Sequence, residues 1–342
     1  MNKSTKLYLL FILSLLLNQC SIFAPDEEVT RNILVAYDIR NSGSGRSDYD
    51  IWLTDFDGEG ERVLVSETSN EYQPRFNKDG SGIFYISTAG GDRDLFYLDT
   101  AGTASIQLTT DRWISSYDVS PRGDKLVFVD DVGGRSQVYE INIDGQNLNL
   151  LTRGYDPVYT DHGDAVILLN SEGSRNIRKV TIGSADTLEI TTAAPSSWII
   201  AIAAERERFI VWSRPDHLSS YSYYFMSQDG DFINSLTFST GFNGRPILSG
   251  DGMQIGYSAY SSATKGVEIF VGNVALSTPL QLTKQGLVAH SPQFFPGDDF
   301  LIYTLENGDD YFLYHIDSKG RNKVRITSAL RYAPIQYDVF VY

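Results

Sequence analysis

The chain has little of several residue types, and each shortage excludes a class of protein. Its 342 residues include one cysteine, Cys20, so a fold held together by internal disulfides is excluded. It contains four histidines, but no His-Glu-x-x-His zinc motif, phosphate-binding loop, dinucleotide fingerprint or Gly-x-Ser-x-Gly nucleophile elbow. Long runs with helical periodicity and caps are also missing, which argues against a mainly helical fold.

Positive charge is also scarce. The chain has 28 Lys and Arg against 43 Asp and Glu, a formal net charge of −15. Nucleic-acid binding relies on clustered cations that displace phosphate counterions, so no nucleic-acid partner is expected. The surplus carboxylates favour a large, soluble surface.

The only long apolar run is near the N-terminus and is too short to span a bilayer. Lys3 and Lys6 precede the run Leu7 to Leu17, whereas a membrane-spanning helix needs about twenty apolar residues. A short apolar run behind a basic start is typical of a signal peptide. We therefore predict a signal peptide over residues 1–19.

The lone cysteine follows that segment directly. Leu17-Asn18-Gln19-Cys20 resembles the lipobox of bacterial lipoproteins, in which the cysteine becomes the lipidated first residue of the mature protein. The resemblance implies a lipid anchor on Cys20, and Ser21 in place of aspartate implies the outer membrane. Residues 20–32 are polar and acidic and are expected to form a tether.

One unit recurs along the remainder of the chain, at steps of 43, 43, 39, 46, 46 and 44 residues. Its clearest marker is an aliphatic residue followed by Ser or Thr, at Val65-Ser66, Leu108-Thr109, Leu151-Thr152, Ile190-Thr191, Leu236-Thr237, Leu282-Thr283 and Ile326-Thr327. Glycine-containing turns such as Asn77 to Gly80 divide each unit into four short strands, here called a to d.

Four antiparallel strands in every forty-odd residues predict the blades of a β-propeller. The first unit, beginning at Ile33, has no strand a before it, whereas an unpartnered strand over Ile335 to Val339 ends the chain. We therefore predict an all-β fold over residues 33–342: a seven-bladed β-propeller of four-stranded antiparallel blades, closed by the C-terminal strand.

The repeat resembles that of the TolB-like propellers of bacterial envelope proteins. The likeness rests on the stretch Tyr117 to Phe128, on Val138-Tyr139 and on Leu150 to Thr152. The expected chain departs from TolB, in which an α/β domain precedes a six-bladed propeller, because only a short tether is expected before seven blades here. The same repeat occurs in prolyl-oligopeptidase-like enzymes and polysaccharide lyases, so the resemblance indicates the fold more strongly than the function.

Catalytic residues are not predicted. By the phase of the repeat, His162 lies in an a–b turn, His217 in a b–c loop, His290 just before strand a and His315 in strand c, so the four cannot meet at one metal. Acidic pairs such as Asp130-Asp131 are expected in solvated turns, and paired acids on inner strands are not expected. No cofactor is predicted, although Asp55 and Asp57 leave a structural Ca²⁺ open.

One face has a distinctive composition. The d–a and b–c connections open on the same side of a propeller, and their Arg and aromatic residues resemble the hot spots of protein interfaces. The residues predicted to form the binding face are Arg112, Trp113, Arg153, Tyr155, Trp198, Phe242, Arg245, His290, Arg331 and Tyr332.

We therefore expect a non-enzymatic envelope lipoprotein that binds an envelope protein or a glycan through this face. Two alternatives stay open. One is a carbohydrate-active or lyase-type enzyme that uses the central channel, and the other is a surface-exposed sensor or nutrient-capture protein.

Overall fold

A computed structural model describes most of the chain after residue 32. The described residues are 33–40, 48–103, 105–170, 177–184, 186–190, 197–205, 208–215, 221–238, 246–274, 279–332, 334 and 336–341. Contacts divide the chain into Met1–Asn32 and Ile33–Tyr342. The predicted signal peptide, Cys20 and the tether lie outside the described residues, as do His217, Phe242, Arg245 and the side chain of Trp198.

Every long regular element among the described residues is a β-strand, which confirms the predicted all-β class. These residues include no helix that is long and apolar enough to span a membrane. The strands are β1 (Ile33–Arg40), β2 (Tyr49–Asp55), β3 (Arg62–Val65), β4 (Glu71–Phe76), β5 (Gly82–Ser87), β6 (Asp94–Asp99), β7 (Ser105–Gln107), β8 (Ile114–Val119), β9 (Lys125–Val132), β10 (Arg135–Asn142), β11 (Asn149–Tyr159), β12 (Ala165–Asn170), β13 (Ile177–Thr181), β14 (Thr187–Ile190), β15 (Ser197–Glu205), β16 (Arg208–Pro215), β17 (Tyr221–Ser227), β18 (Phe232–Phe238), β19 (Ile247–Leu248), β20 (Gln254–Ser261), β21 (Gly266–Asn273), β22 (Leu280–Gln281), β23 (Val288–Phe294), β24 (Phe300–Asn307), β25 (Asp310–Asp317), β26 (Val324–Arg325) and β27 (Tyr337–Val341).

Hydrogen bonds arrange the described strands in five sheets rather than seven separate ones. Three are four-stranded, with the orders β27-β1-β2-β3, β4-β5-β6-β7 and β15-β16-β17-β18. The other two each span two repeats. Strand β11 is continuous from strand d of one repeat to strand a of the next, so β8 to β14 form one sheet. A parallel contact between Val267 and Val288 joins β19 to β26.

The first sheet takes one strand from the far end of the chain. Strand β27 runs antiparallel to β1, with Val339 opposite Val35 and Val341 opposite Ile33. It begins at Tyr337, two residues later than the strand expected from the sequence. The buried cluster around it includes Ile302 and Leu313 of the last repeat. The first and last repeats are therefore packed against each other through apolar side chains, which is the main source of folding free energy.

The Ser/Thr marker of the sequence is explained by hydrogen bonds inside each sheet. The Thr109 and Thr283 hydroxyls accept the backbone N–H of Leu95 and Ile269 at 3.0 and 2.9 Å. Thr109 also donates to the buried Asp94 carboxylate at 2.7 Å, and Thr283 donates to that of the fully buried Glu268. The hydroxyl thus accepts a backbone N–H in place of a carbonyl of the neighbouring strand. Its own O–H offsets part of the free-energy cost of burying the carboxylate.

Thr327 makes only half of this arrangement. Its hydroxyl accepts the Leu313 N–H at 3.0 Å, but the position that Asp94 and Glu268 occupy holds Phe312. The fold therefore contains two versions of one motif, with and without the carboxylate, at similarly buried threonines.

His315, which the sequence places in strand c, lies in β25 within an aromatic cluster between the first and last repeats. It is 2% exposed, and its ring stacks on Phe56 at 3.6 Å between centroids. Phe295 and Phe300 meet it edge-on. Burial lowers the pKa of His315 to about 4, with the Phe56 backbone opposing the shift. An imidazole in such apolar surroundings is held neutral.

Replacing the two threonines should separate the two parts of the motif. We expect Thr283→Val to lower the free energy of unfolding by about 3 kcal/mol, because it strands the Ile269 N–H and removes a hydrogen bond to the Glu268 carboxylate. Thr327→Val, which strands only the Leu313 N–H, should cost about 1 kcal/mol. Urea denaturation measures both. Equal losses would contradict the assigned role of the carboxylate, and Thr283→Ser serves as the control that keeps the hydroxyl.

Acid should weaken the fold through His315. Its folded pKa of about 4 lies below the ordinary 6.5, so the unfolded chain takes up the proton first. The stability it contributes is complete above pH 6.5 and is lost as the pH falls towards 4, by about 3 kcal/mol at most. His315→Leu should therefore flatten the dependence of the unfolding free energy on pH in this interval. Phe295→Leu disturbs the same packing but should keep the wild-type dependence, and identical slopes for all three proteins would refute the prediction.

Candidate binding face

Carboxylates on the inner strands link neighbouring repeats. Asp338 in β27 accepts the Phe76 N–H of β4 at 2.8 Å, and its other oxygen accepts the Gln293 side-chain amide at 3.0 Å. Asp118 in β8 accepts the Tyr159 N–H of β11 at 2.9 Å. The sequence predicts no paired acids on inner strands, and Asp338 and Asp118 are single acids on the inner strands of different repeats. Both carboxylates are occupied by hydrogen bonds that hold the backbone.

Asp38 in β1 has a similar role. It is fully buried and accepts backbone N–H groups from Gln73 and Gln336, each at 2.9 Å. Gln73 belongs to the next repeat and Gln336 precedes the C-terminal strand, so one carboxylate links three segments of the chain. Charge-assisted hydrogen bonds of this kind are stronger than neutral ones.

The Asp130-Asp131 pair predicted in a solvated turn lies instead in β9, and Asp130 is fully buried. One Asp130 oxygen accepts from Arg112 Nη1 at 2.8 Å and the other accepts the Trp113 N–H at 2.9 Å. The prediction of a solvated turn was wrong because Arg112 compensates the buried charge of Asp130, and an acidic pair in the sequence does not reveal this partner.

The same connection presents aromatic and cationic groups to solvent. Arg112 lies over the Tyr139 ring at 5.0 Å, and the neighbouring Trp113 side chain is 49% exposed. Arg93 donates its N–H to the Arg112 carbonyl at 2.8 Å and accepts the Ile114 N–H at 3.0 Å. Arg93 and Trp113 are thus bridged, which fixes their backbones side by side.

Two tyrosines complete this group. The guanidinium of Arg93 lies 5.4 Å from the centre of the Tyr72 ring, and Tyr72 contacts Tyr49 at 5.1 Å. Burial raises the pKa of Tyr72, and the Arg93 charge opposes that shift. All three side chains are half-buried. We call Tyr49, Tyr72, Arg93, Arg112 and Trp113 the Tyr–Arg cluster. Its tyrosines were not among the predicted site residues, because they belong to different repeats and no spacing links them.

Other predicted residues lie on other strands and connections. Arg153 and Tyr155 belong to β11, where both are exposed, Tyr155 by 45%. Arg331 and Tyr332 are exposed before the C-terminal strand, and Arg40 lies over the Tyr332 ring at 4.9 Å.

His290 lies inside β23, not just before it as predicted. Its Nδ1 is 3.0 Å from the Ser291 hydroxyl. Burial lowers the pKa of His290, and the Glu306 charge opposes this. The half-buried ring is therefore largely neutral at physiological pH.

No group of three or more His, Cys, Asp or Glu side chains among the described residues is placed to hold a metal ion. In the turn considered for Ca²⁺, an Asp57 carboxylate oxygen accepts the Glu59 N–H at 3.0 Å.

Comparisons with known proteins identify relatives of the fold. No protein-family model matches the chain. The protein TolB homolog of Chlorobaculum tepidum is 31% identical over 104 residues, which is 30% of this chain and 23% of that protein. The chain therefore matches less than a quarter of that relative's length.

Solved structures extend the likeness across most of the chain. TolB from Acinetobacter baumannii superimposes with a TM-score of 0.58 at 18% identity, over 90% of this chain and 66% of that one. An oligogalacturonate lyase in complex with manganese gives a TM-score of 0.64 at 15% identity, over 86% and 84% of the two chains. At such identities the likeness shows the fold, which is that of a β-propeller.

Proposed function

We propose that this chain, whose fold is similar to that of TolB-like β-propellers, is a non-enzymatic scaffold of the bacterial cell envelope that binds a partner protein. The observation that carries this proposal is the Tyr–Arg cluster. It presents a half-exposed indole, Trp113, on a backbone fixed by the buried Asp130. Rigid aromatic and arginine side chains are the residue types that dominate protein-binding energetics.

The proposal includes seven blades closed by the C-terminal strand. Seven Ser/Thr markers support the count, because each marks strand d of one repeat. The pairing of β27 with β1 supports the closure, as does the apolar cluster that joins the first and last repeats. Closure of this kind removes two free sheet edges.

A lyase-type enzyme is the second candidate, favoured by the likeness to oligogalacturonate lyase. Asp118, which has Arg75 at 4.0 Å, is the inner-strand acid best suited to such chemistry. Its other oxygen already accepts the Tyr159 N–H, which suits a structural carboxylate better than a general base. We therefore favour the scaffold, which needs no cofactor.

Partner capture should depend on exposed aromatics of the predicted face. We expect the double variant Trp113→Ala and Tyr155→Ala to lose most of the envelope protein that the wild type retains after crosslinking in native membranes. Both side chains are about half exposed, so the thermal midpoint should change little. Quantitative mass spectrometry measures the captured protein.

The matched control removes exposed apolar groups elsewhere. Ile106 and Leu188 are 54% and 46% exposed on the outer strands β7 and β14. Ile106→Ala with Leu188→Ala should leave capture unchanged. Equal capture by the wild type and the Trp113/Tyr155 variant would show that this face is not the binding site.

We further propose that a lipid on Cys20 anchors the scaffold to the outer membrane. Cys20→Ser should abolish metabolic labelling with an alkyne fatty acid and move the protein to the soluble fraction. Ser21→Asp should keep the label but redirect the protein to the inner membrane. Labelling that survives Cys20→Ser would refute the anchor. Protease treatment of intact cells separates a periplasmic scaffold from a surface-exposed sensor or nutrient-capture protein.

A further inference from the structure

Arg93 differs from the other cationic member of the Tyr–Arg cluster. Its guanidinium makes no ion pair and no hydrogen bond with any residue that the structure describes, and its Nε is buried. Arg112, in the connection bridged to it, is paired with the buried Asp130 at 2.8 Å. The fold thus supplies an anion to one arginine and leaves its neighbour without one, although an unsatisfied buried N–H costs about 1–3 kcal/mol.

Two carboxylates close to Arg93 in the fold are already engaged. Both Asp130 oxygens are taken by Arg112 and by the Trp113 N–H. Asp94, the residue after Arg93, is hydrogen-bonded by Thr109 at 2.7 Å and by the Gln107 amide at 3.3 Å. Neither Asp130 nor Asp94 is therefore left for the Arg93 guanidinium.

The fold does not require an arginine at this position. Val267 and Tyr311 occupy the position of Arg93 in two other repeats. Their N–H groups donate to the Leu287 and Leu330 carbonyls of the following connections, each at 2.8 Å. Arg93 makes the same bond to Arg112 at the same distance. An aliphatic and an aromatic residue serve this backbone role elsewhere, so the backbone bond does not account for the cation at residue 93.

The surroundings define what the cation can receive. The backbones of Arg93 and Trp113 are bridged, so the residue that carries the guanidinium has an exposed indole as its neighbour across the bridge. A carboxylate next to an apolar side chain matches this pair. The chain carries a net charge of −15, which repels polyanions such as polyuronates or nucleic acids but tolerates one localised negative charge.

We propose that Arg93 receives a single Asp or Glu carboxylate of a protein partner, while Trp113 packs against the apolar residue beside it. This rests on the proposed scaffold function and names the chemistry of its partner. The Tyr72 ring under the guanidinium holds it in place for the incoming carboxylate.

A displayed library of random 12-residue peptides, selected on the immobilised protein, tests the proposal. The enriched peptides should share one acidic position beside an apolar or aromatic residue. Replacing that acid by its amide in a synthetic peptide should weaken binding about tenfold, the value of one charge-assisted hydrogen bond. Arg93→Gln should bind the acid and amide peptides equally well. Arg122→Gln makes the same charge change at an exposed arginine in the turn after β8, outside the predicted binding face, and should keep the discrimination.

Each contrary result overturns the proposal. These results are a selection that enriches no acidic position, discrimination that survives in Arg93→Gln, or binding of oligogalacturonate in place of peptides that depends on Arg93. Circular dichroism and the thermal midpoint confirm that Arg93→Gln is folded. If the Trp113/Tyr155 variant loses partner capture while Arg93→Gln keeps both capture and discrimination, the scaffold function stands and only the role of Arg93 is wrong.

Discussion

A carboxylate that accepts a backbone N–H from the neighbouring repeat is the interaction on which this structure depends. Asp338 and Asp118 do so from the inner strands β27 and β8, and Asp38 does so from β1. Apolar packing brings the sheets together without direction, whereas these hydrogen bonds set their register. Part of the acidic excess of the chain is thus structural, not merely solubilising.

The repeat could be predicted from the sequence because its determinants are local. The threonine of the Leu-Thr marker bonds within its own repeat, to a backbone N–H fourteen residues earlier in both Thr109 and Thr283. Because each of these bonds is made within one repeat, the residues that make it recur at the spacing of the repeat. The strand at the C-terminus was also recognisable, since an alternating segment without a neighbour in sequence must find one in space.

Only part of the Tyr–Arg cluster could be predicted from the sequence, because its members are not local to one repeat. Trp113 and Arg112 belong to one connection and were found together, but Tyr49, Tyr72 and Arg93 come from three separate segments. Asp130 was assigned to solvent because an acidic pair resembles a turn, and only its contacts with Arg112 and Trp113 show why it is buried. Contacts across repeats have no fixed sequence spacing, so they escape any periodic analysis.

In a repeat protein, departures from the repeat are where function is to be sought. Phe312 replaces the acid that Asp94 and Glu268 supply, and the fold accommodates it with one hydrogen bond fewer. Arg93 departs differently, because Val267 and Tyr311 make the same backbone bond without a charge. A substitution that removes an interaction can be neutral. A cation without a partner lowers the stability of the fold, so we infer that Arg93 serves a function outside the fold. The position of Arg93 beside the exposed indole of Trp113 favours binding as that function.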